Sequence, residues 1–274
     1  MATTFLRTSP RERTLAMTRR TAIVTGSTSG IGLGIARALA SAGHDVTLNG
    51  LGDPAEIEAT RAVLASDTAD VAFHGADMLK PEEIAELVEA IRERFGKVDI
   101  VVPNAGIQTV APIEDFDSAR FDLIVAINMA AAWHLAHRTF GAMKAQGWGR
   151  FVAVASAHGL VASPYKSAYV MAKHGVVGLR KTLALEGAEH GITANAVCPG
   201  YVLTPLVEKQ IPETAAARGI SEEAVKRDVL LAAQPTKQFV TVEQVAALTA
   251  FLCSDAAEQM TGAALPIDGG WTAH

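Results

Sequence analysis

The sequence predicts an α/β fold: one domain built on a doubly wound, seven-stranded parallel sheet with helices on both faces. Two observations predict it. Short, almost continuously apolar runs recur along the chain, as in parallel strands that are buried on both faces. Stretches with apolar residues at helical spacing separate these runs, and such alternation is typical of strand–helix–strand units. The length of 274 residues suits a single domain of this class.

Each predicted strand is a short apolar run bounded by glycine, aspartate, asparagine or proline. The predicted strands are Thr21–Thr25, Asp45–Asn49, Val71–Phe73, Val98–Val102, Phe151–Ala155, Thr193–Val197 and Ala263–Ile267. The clearest helical pattern between them covers Pro81–Phe95, where the apolar residues share one face and glutamates occupy the opposite one. These apolar residues are Ile84, Leu87, Val88 and Ile91.

Two segments depart from this alternation. Residues 1–20 contain five arginines and a single acid, Glu12. We expect residues 1–19 to be a disordered extension from a start upstream of Met17, although an Arg-rich targeting segment is the alternative. Residues 204–237 are polar, helix-prone and bounded by prolines, and we expect a small helical lid over the substrate there. The domain itself then covers residues 20–274.

The composition excludes several classes of protein. Lys and Arg number 24 against 29 Asp and Glu, a net charge of −5, whereas nucleic-acid-binding proteins usually carry a concentrated basic face. No apolar run approaches the roughly 20 residues of a membrane helix. The two cysteines, Cys198 and Cys253, lack metal-ligand spacing and cannot form a disulfide scaffold. We therefore expect a cytoplasmic protein with no nucleic-acid or membrane partner and no metal site.

A glycine-rich turn follows the first predicted strand and opens an alanine-rich helix. Its spacing is Gly-x3-Gly-x-Gly. Glycines allow a tight turn and let backbone N–H groups approach a pyrophosphate at the helix N-terminus. We therefore expect a dinucleotide-binding turn that comprises Gly26, Thr28, Ser29, Gly30, Ile31 and Gly32.

The end of the second strand is expected to select between NAD and NADP. In such folds an acid at this place binds the ribose of NAD, and an arginine accepts the additional phosphate of NADP. The chain has Asn49-Gly50-Leu51-Gly52-Asp53 and no cation before Arg61, which favours NAD. Asp77 and Met78, after the third strand, are candidates for the adenine end. Asp77 could bind the adenine amino group or simply cap a turn.

The candidate catalytic set is Ser156, Tyr169 and Lys173, with Asn128 upstream. Tyr169 and Lys173 are four residues apart in a helical stretch, so their side chains share a face. An ammonium group close to a phenol favours the phenolate, and we expect it to lower the pKa of Tyr169. Tyr169 could then take the proton of an alcohol while hydride passes to a nicotinamide. Ser156, which closes the fifth strand, would hold the substrate oxygen.

Over residues 20–274 the chain resembles the short-chain dehydrogenase/reductase family, whose fold is of the Rossmann type. The resemblance is carried by Thr25–Gly32, Asn104-Ala105-Gly106, Asn128, Ser156, Tyr169, Lys173 and Pro199-Gly200. It implies that Asn128 kinks a helix and holds a water that relays protons from Lys173, which contacts the nicotinamide ribose. It implies that the cofactor site also includes Asn104, Ala105, Gly106, Pro199, Gly200, Val202 and Thr204. Pro103 replaces the first asparagine of the family's Asn-Asn-Ala-Gly run, which puts one local hydrogen bond in question.

Within this family the chain resembles a bacterial group that oxidises D-3-hydroxybutyrate. The resemblance is carried by Ala105–Gln108, Ser156–Ser163, Lys166–Tyr169, Thr204–Gln210 and Asp268–Thr272. It implies that Gln108, His158, Lys166 and Gln210 hold the substrate carboxylate, with Ser156 and Tyr169 at the reacting oxygen. A cation among neutral donors suits an anion through charge-assisted hydrogen bonds. Tyr201 stands where this group usually has tryptophan, so we expect the accepted chain length to differ slightly.

The resemblance thus implies an NAD-dependent dehydrogenase that converts D-3-hydroxybutyrate, or a close short 3-hydroxy acid, to the 3-oxo acid and back. One alternative is another short-chain reductase, such as a 3-oxoacyl carrier reductase. Lys166 with His158 favours a free carboxylate over a carrier-bound thioester. The second alternative is a non-catalytic NAD(H)-binding sensor, which would not need the catalytic set. The resemblance also implies a homotetramer, with the helices that start near Ser118 and Ala168 at an interface.

Overall fold

The structure is a computed structural model that describes residues 19–65 and 69–273. The expectations for residues 1–18 therefore lie outside the described residues. For residues 206, 209, 210, 213, 214, 217 and 218 only the backbone is described.

The described residues form one sheet of seven parallel strands in the order β3-β2-β1-β4-β5-β6-β7. This confirms the predicted fold class. The strands are β1 (Thr21–Val24), β2 (Asp45–Asn49), β3 (Val71–His74), β4 (Ile100–Val102), β5 (Gly149–Val154), β6 (Ile192–Pro199) and β7 (Ala264–Ile267).

The predicted strand bounds differ from the observed ones by two residues at most. β4 begins at Ile100 rather than Val98, and β5 begins at Gly149 rather than Phe151. Arg150 is polar and therefore lay outside the predicted run, although it pairs with Thr193 of β6 and is buried. Backbone pairing sets the end of a strand, and apolarity does not report that pairing.

Helices connect the strands and cover both faces of the sheet. They are α1 (Gly30–Ser41), α2 (Pro54–Leu64), α3 (Pro81–Phe95), α4 (Ser118–Val125), α5 (Ala131–Gln146), α6 (Ser167–Gly187), α7 (Pro205–Arg218), the short α8 (Glu222–Ala224) and α9 (Val242–Cys253). Their ends follow the sequence: the Asp53 carboxylate accepts from the first turn of α2, and Gly96, with φ +81°, ends α3. The predicted helix Pro81–Phe95 is confirmed, with its four apolar residues buried.

The core has two layers, one on each face of the sheet. Ala22 and Val24 of β1 pack in the layer that α1 and α9 cover, whereas Ile23 packs in the layer of α3, α5 and α6. Burying each large aliphatic side chain contributes about 1.5–3 kcal/mol to folding. Strands apolar on both sides therefore hold the sheet between the two helical layers.

The order of the strands places a crevice at the carboxyl ends of the two central strands β1 and β4. The chain proceeds outward from β1 to β2 and β3, and then returns to the other side of β1 to form β4. Loops that leave β1 and β4 in opposite directions open a crevice at the carboxyl ends of these strands, where such folds bind ligands. The glycine-rich turn follows β1, and Asn104 follows β4.

Candidate active site

The glycine-rich turn between β1 and α1 is packed so tightly that two of its positions require glycine. Gly26 has φ +60°, and a Cβ atom on Gly32 would lie 2.2 Å from the carbonyl oxygen of Gly26. The Asn104 side chain fixes the turn, because its Nδ2 donates to the carbonyl oxygens of Thr25 at 2.9 Å and Gly26 at 3.0 Å. The turn is thus held to the end of β4.

The N-terminus of α1 is arranged to receive an anion. Ser29 is its N-cap, but the Ser29 side chain accepts no hydrogen bond from the first turn, and that turn contains no acid. The first backbone N–H groups of a helix lack partners within the helix and carry partial positive charge. The glycine-lined turn and this helix end together fit a pyrophosphate.

The end of β2 forms a neutral wall beside the turn. The Asn49 Nδ2 donates to the carbonyl oxygens of His74 at 3.0 Å and Ala76 at 2.9 Å, so its amide stabilises the fold. Gly50 lies against the Thr28 side chain, whose Oγ1 would be 2.8 Å from a Cβ atom on this glycine. The first cation after β2, Arg61, is engaged by Glu58, with 2.8 Å between Nε and Oε2.

Asp77 and Met78 lie in the loop that follows β3. The Asp77 Oδ1 accepts from the backbone N–H of Leu79 at 3.0 Å, which is the turn-capping role considered for this residue. Met78 is buried.

Several hydrogen bonds hold the loop that begins at Pro103. Its carbonyl oxygen accepts from the Val154 N–H at 2.9 Å, which joins β4 to β5. The Thr25 Oγ1 accepts from the N–H groups of Asn104 at 3.0 Å and Ala105 at 3.1 Å. The loop after β4 is therefore fixed without the missing asparagine.

Asn128 lies in a π-helical segment, Ala126–Ala130, that joins α4 to α5. Its Oδ1 accepts from the Ile107 N–H, and its Nδ2 donates to the Ile107 carbonyl oxygen, both at 2.9 Å. A π segment inside a helix marks a local irregularity that is frequent at functional sites. The irregularity lies at the residue where the family resemblance implies a kink.

Lys173 is buried in α6, with 4% of its surface exposed. Its Nζ donates to the Val154 carbonyl oxygen at 2.9 Å and lies 5.6 Å from the centre of the Tyr169 ring. Burial lowers the pKa of Lys173 to about 8, because desolvation disfavours the ammonium form. A cavity of about 10 Å³, which can hold one water, separates this lysine from Asn128.

Tyr169 lies one helical turn before Lys173, close to Ser156. Burial raises the pKa of Tyr169, while a hydrogen bond with the Ser156 side chain opposes that rise. The direction is opposite to the expected one, so the prediction of a lowered pKa is wrong for the structure described. The physical reason is that desolvation disfavours the phenolate, while the nearby ammonium is itself made less favourable by burial.

His158 lies beside Tyr169 and is almost fully buried. Its ring meets the Tyr169 ring edge-on at 5.8 Å and the Trp271 ring at 4.8 Å, and its Nε2 is 2.9 Å from the Ser163 Oγ. Burial, together with the charge of Lys166, lowers the pKa of His158 to about 4. The imidazole is therefore neutral at neutral pH.

Lys166 faces the aromatic pair formed by Tyr201 and Trp271. Its Nζ donates to the Tyr201 hydroxyl at 3.4 Å and lies 5.5 Å from the centre of that ring. The Tyr201 and Trp271 rings stack at 5.7 Å with 3° between their planes. The Tyr201–Trp271 pair thus connects Lys166 to His158, which lies beside Tyr169.

Gln108 and Gln210 are the other two residues predicted to hold the substrate carboxylate. Gln108 is exposed in the loop after β4. Gln210 lies on α7, but its side chain lies outside the described residues. Trp271 and Ser163 belong to runs that carried the resemblance, yet neither was predicted as a site residue.

The loop after β6 approaches the glycine-rich turn. Pro199 ends β6, and a Cβ atom on Gly200 would lie 2.3 Å from the Gln234 Oε1. Val202 forms an isolated bridge with Val240. The Thr204 Cγ2 would be 3.7 Å from a Cβ atom on Gly30, so Thr204 stands across the crevice from the turn.

Known proteins match this chain along nearly its whole length. Residues 26–272 match the family model described as enoyl-(acyl carrier protein) reductase. The chain is 56% identical to a D-beta-hydroxybutyrate dehydrogenase of Rhizobium meliloti, over 93% of this chain and 99% of that protein. The chain belongs to the short-chain dehydrogenase/reductase family. A D-beta-hydroxybutyrate dehydrogenase of Cupriavidus necator is 52% identical, over 93% of this chain and 98% of that protein.

Solved structures of the family share the fold. An actinorhodin polyketide ketoreductase with NADPH superimposes with a TM-score of 0.86 at 32% identity, covering 93% of this chain and 98% of that one. Levodione reductase superimposes with a TM-score of 0.84 at 33% identity and the same coverage.

In residues 19–65 and 69–273, no three His, Cys, Asp or Glu side chains are grouped so that they could hold a metal ion. No helix of the described chain is both long and apolar enough to cross a bilayer.

Proposed function

We propose that this short-chain dehydrogenase oxidises D-3-hydroxybutyrate, or a close short 3-hydroxy acid, to the 3-oxo acid with NAD, and catalyses the reverse reaction. The observation that carries the proposal is that His158 lies beside Tyr169 and is joined to Lys166 through the Tyr201–Trp271 pair. A short 3-hydroxy acid carries both a hydroxyl group, which would bind at Tyr169, and a carboxylate, which would bind at Lys166. The high identity with two D-beta-hydroxybutyrate dehydrogenases supports the same substrate.

The nucleotide would bind across the crevice between β1 and β4. The glycine-rich turn would hold the pyrophosphate through the residues from Gly26 to Gly32, with Thr28 and Ser29 among them. Asp77 and Met78 would border the adenine, and the segment Asn104–Gly106 would border its ribose. Pro199, Gly200, Val202 and Thr204 would border the nicotinamide, which accepts the hydride when the cofactor is bound.

Tyr169 would take the hydroxyl proton of the substrate, with Ser156 donating a hydrogen bond to the same oxygen. Lys173 would contact the nicotinamide ribose. A small cavity that both Lys173 and Asn128 line supports a proton path through one water, because its volume of about 10 Å³ is close to that needed for one water molecule. These four residues suffice for acid–base chemistry at an alcohol.

The carboxylate would lie against the Lys166 ammonium, which is the cation of the pocket. His158 would contribute a neutral ring, because its pKa of about 4 leaves it uncharged. Gln108 and Gln210 would add neutral donors. Tyr201, in place of tryptophan, would leave more room at this wall, which favours acids slightly longer than 3-hydroxybutyrate as additional substrates.

Residues 204–237 would act as a substrate lid, since α7 and α8 lie within this segment and Thr204, the N-cap of α7, lies beside the crevice. We further propose a homotetramer in the cytoplasm, with α4 and α6 at an interface between subunits.

The proposal is tested by measuring NADH formation with a panel of hydroxy acids. We expect the highest kcat/KM with D-3-hydroxybutyrate and NAD, and much lower values with the L-enantiomer and with the methyl ester. Turnover of a 3-oxoacyl thioester with NADPH, and none of the acid, would favour a carrier reductase. NADH binding without turnover of any substrate would favour a sensor.

A further inference from the structure

The segment Ser163–Lys166 contains a backbone conformation that is unusual for its residue type. Tyr165 has φ +66°, and in the described residues only Lys237 shares a positive φ among residues other than glycine. Residues with a side chain rarely adopt this left-handed conformation, which is least unfavourable for glycine and asparagine. Pro164 precedes Tyr165, and proline followed by a residue of positive φ is typical of a type II turn.

The Tyr165 side chain does not explain the conformation. The residue is 61% exposed, and within the described part of the chain its hydroxyl has no hydrogen-bond partner. The reason for the left-handed backbone must therefore lie in the direction that the turn gives to the residues on either side of it.

Three contacts of this turn involve the proposed carboxylate pocket. The Ser163 Oγ lies 2.9 Å from the His158 Nε2. The Tyr165 carbonyl oxygen accepts from the Ala111 N–H at 3.0 Å, in the loop that carries Gln108. Immediately after Tyr165, Lys166 turns its ammonium to Tyr201 and begins α6 as its N-cap. One turn thus joins the three loops from which the pocket is built.

We propose that Tyr165 is a positioning residue for Lys166. Its left-handed backbone sets the direction in which Lys166 leaves the turn, and its carbonyl oxygen holds the Gln108 loop beside it. This inference rests on the proposed function only in assigning the carboxylate to Lys166. Strained conformations that the surrounding structure enforces are concentrated at ligand-binding sites.

Three substitutions separate the backbone from the side chain. Tyr165→Gly and Tyr165→Asn remove the ring but tolerate a positive φ, so kcat/KM for D-3-hydroxybutyrate should remain within about fivefold of the unsubstituted protein. Tyr165→Val removes the same ring but strongly disfavours a positive φ, because valine is β-branched. It should lower kcat/KM about 10- to 100-fold, mainly by raising KM. The methyl ester should be much less affected, and NADH titration checks that the nucleotide half is intact.

Crystal structures of the unsubstituted protein, of Tyr165→Val and of Tyr165→Gly measure the position of Lys166 without a substrate. The Lys166 Nζ should leave the Tyr201 hydroxyl in Tyr165→Val and remain there in Tyr165→Gly. An unchanged Lys166 position in Tyr165→Val, or equal losses in the valine and glycine variants, would overturn the inference. If the unsubstituted protein fails to oxidise D-3-hydroxybutyrate, the proposed function fails, and the position of Lys166 still decides the role of Tyr165.

Discussion

The nucleotide half and the substrate half of the crevice are held together in different ways. In the nucleotide half, backbone contacts leave no space: a single methyl group on Gly32 would meet the Gly26 carbonyl, and Asn104 fixes the same turn. In the substrate half, side chains from distant segments meet one another, as Lys166 meets Tyr201 and Tyr201 meets Trp271. A dinucleotide site can therefore be shared across a family, whereas a substrate site can change with one or two side chains.

Lys173 and Lys166 illustrate this difference between the two halves of the crevice. Lys173 is buried, donates to the backbone of β5 and has a pKa lowered to about 8. Lys166 is partly exposed and contacts the side chain of Tyr201. We infer that Lys173 serves the reaction of any alcohol, and that Lys166 serves only a substrate with a negative charge.

The largest effect is expected at Tyr169, where the two halves meet. Tyr169→Phe removes the proton acceptor and should lower kcat/KM about 10²- to 10⁴-fold. NADH binding, measured by fluorescence titration, should be largely retained, because the glycine-rich turn is untouched. Turnover close to that of the unsubstituted protein would show that another group accepts the proton.

The next effect concerns the stability of the substrate half at acid pH. His158 has a pKa of about 4 in the folded protein and about 6.5 when unfolded, so the unfolded chain binds more protons between these values. The stability that neutral His158 contributes is present above pH ~6.5 and is lost as the pH falls towards 4, by up to about 3 kcal/mol.

Urea unfolding of the unsubstituted protein and of His158→Asn, at several pH values, measures this contribution. The difference between the two proteins should shrink on acidification. A difference that is independent of pH would show that His158 is not held in its neutral form.

Cofactor selection is the prediction for the nucleotide half. The 2′-phosphate of NADP would meet the neutral wall of Thr28 and Gly50, while Arg61 is engaged by Glu58. A buried polar group left without a partner costs about 1–3 kcal/mol, and a charged group costs more, so kcat/KM should be at least about 5-fold higher with NAD. Equal kcat/KM with both cofactors would mean that another cation binds the phosphate.

The smallest effect is expected from the wall of the carboxylate pocket. Tyr201→Phe keeps the ring that stacks on Trp271 but removes the hydroxyl that accepts from Lys166. The bond from the Lys166 ammonium is long, at 3.4 Å, and only partly buried, so we expect it to contribute about 0.5–1.5 kcal/mol and KM for D-3-hydroxybutyrate to change about 2- to 10-fold. Tyr201→Trp is the matched variant, and it should favour the shorter acids. A loss as large as that of Tyr169→Phe would place Tyr201 among the catalytic groups.

The sequence predicts the nucleotide half better than the substrate half, and the physical reasons are specific. The spacing of Gly26, Gly30 and Gly32 follows from backbone packing that tolerates no side chain, so the spacing itself carries the signal. The contact between Lys166 and Tyr201 joins residues 35 positions apart, and no local pattern reports it. The left-handed backbone of Tyr165 is equally hidden, because the residue type opposes it.

The pKa of Tyr169 is the clearest example of information that spacing cannot give. The helical spacing of Tyr169 and Lys173 correctly predicts that they are neighbours. It does not report how deeply both are buried, and burial decides the direction of both pKa shifts.

The central claim is that Lys166 serves only a negatively charged substrate, whereas Lys173 serves any alcohol. It is tested most directly by the ratio of kcat/KM for D-3-hydroxybutyrate to that for its methyl ester. This ratio should be measured in the unsubstituted protein, in Lys166→Met and in Lys173→Met. Loss of a hydrogen bond to a charged group costs about 1.5–3 kcal/mol, so the ratio should fall about 10- to 150-fold in Lys166→Met. In Lys173→Met both rates should fall and the ratio should stay the same. An unchanged ratio in Lys166→Met, or the same loss of ratio in both variants, would contradict the account.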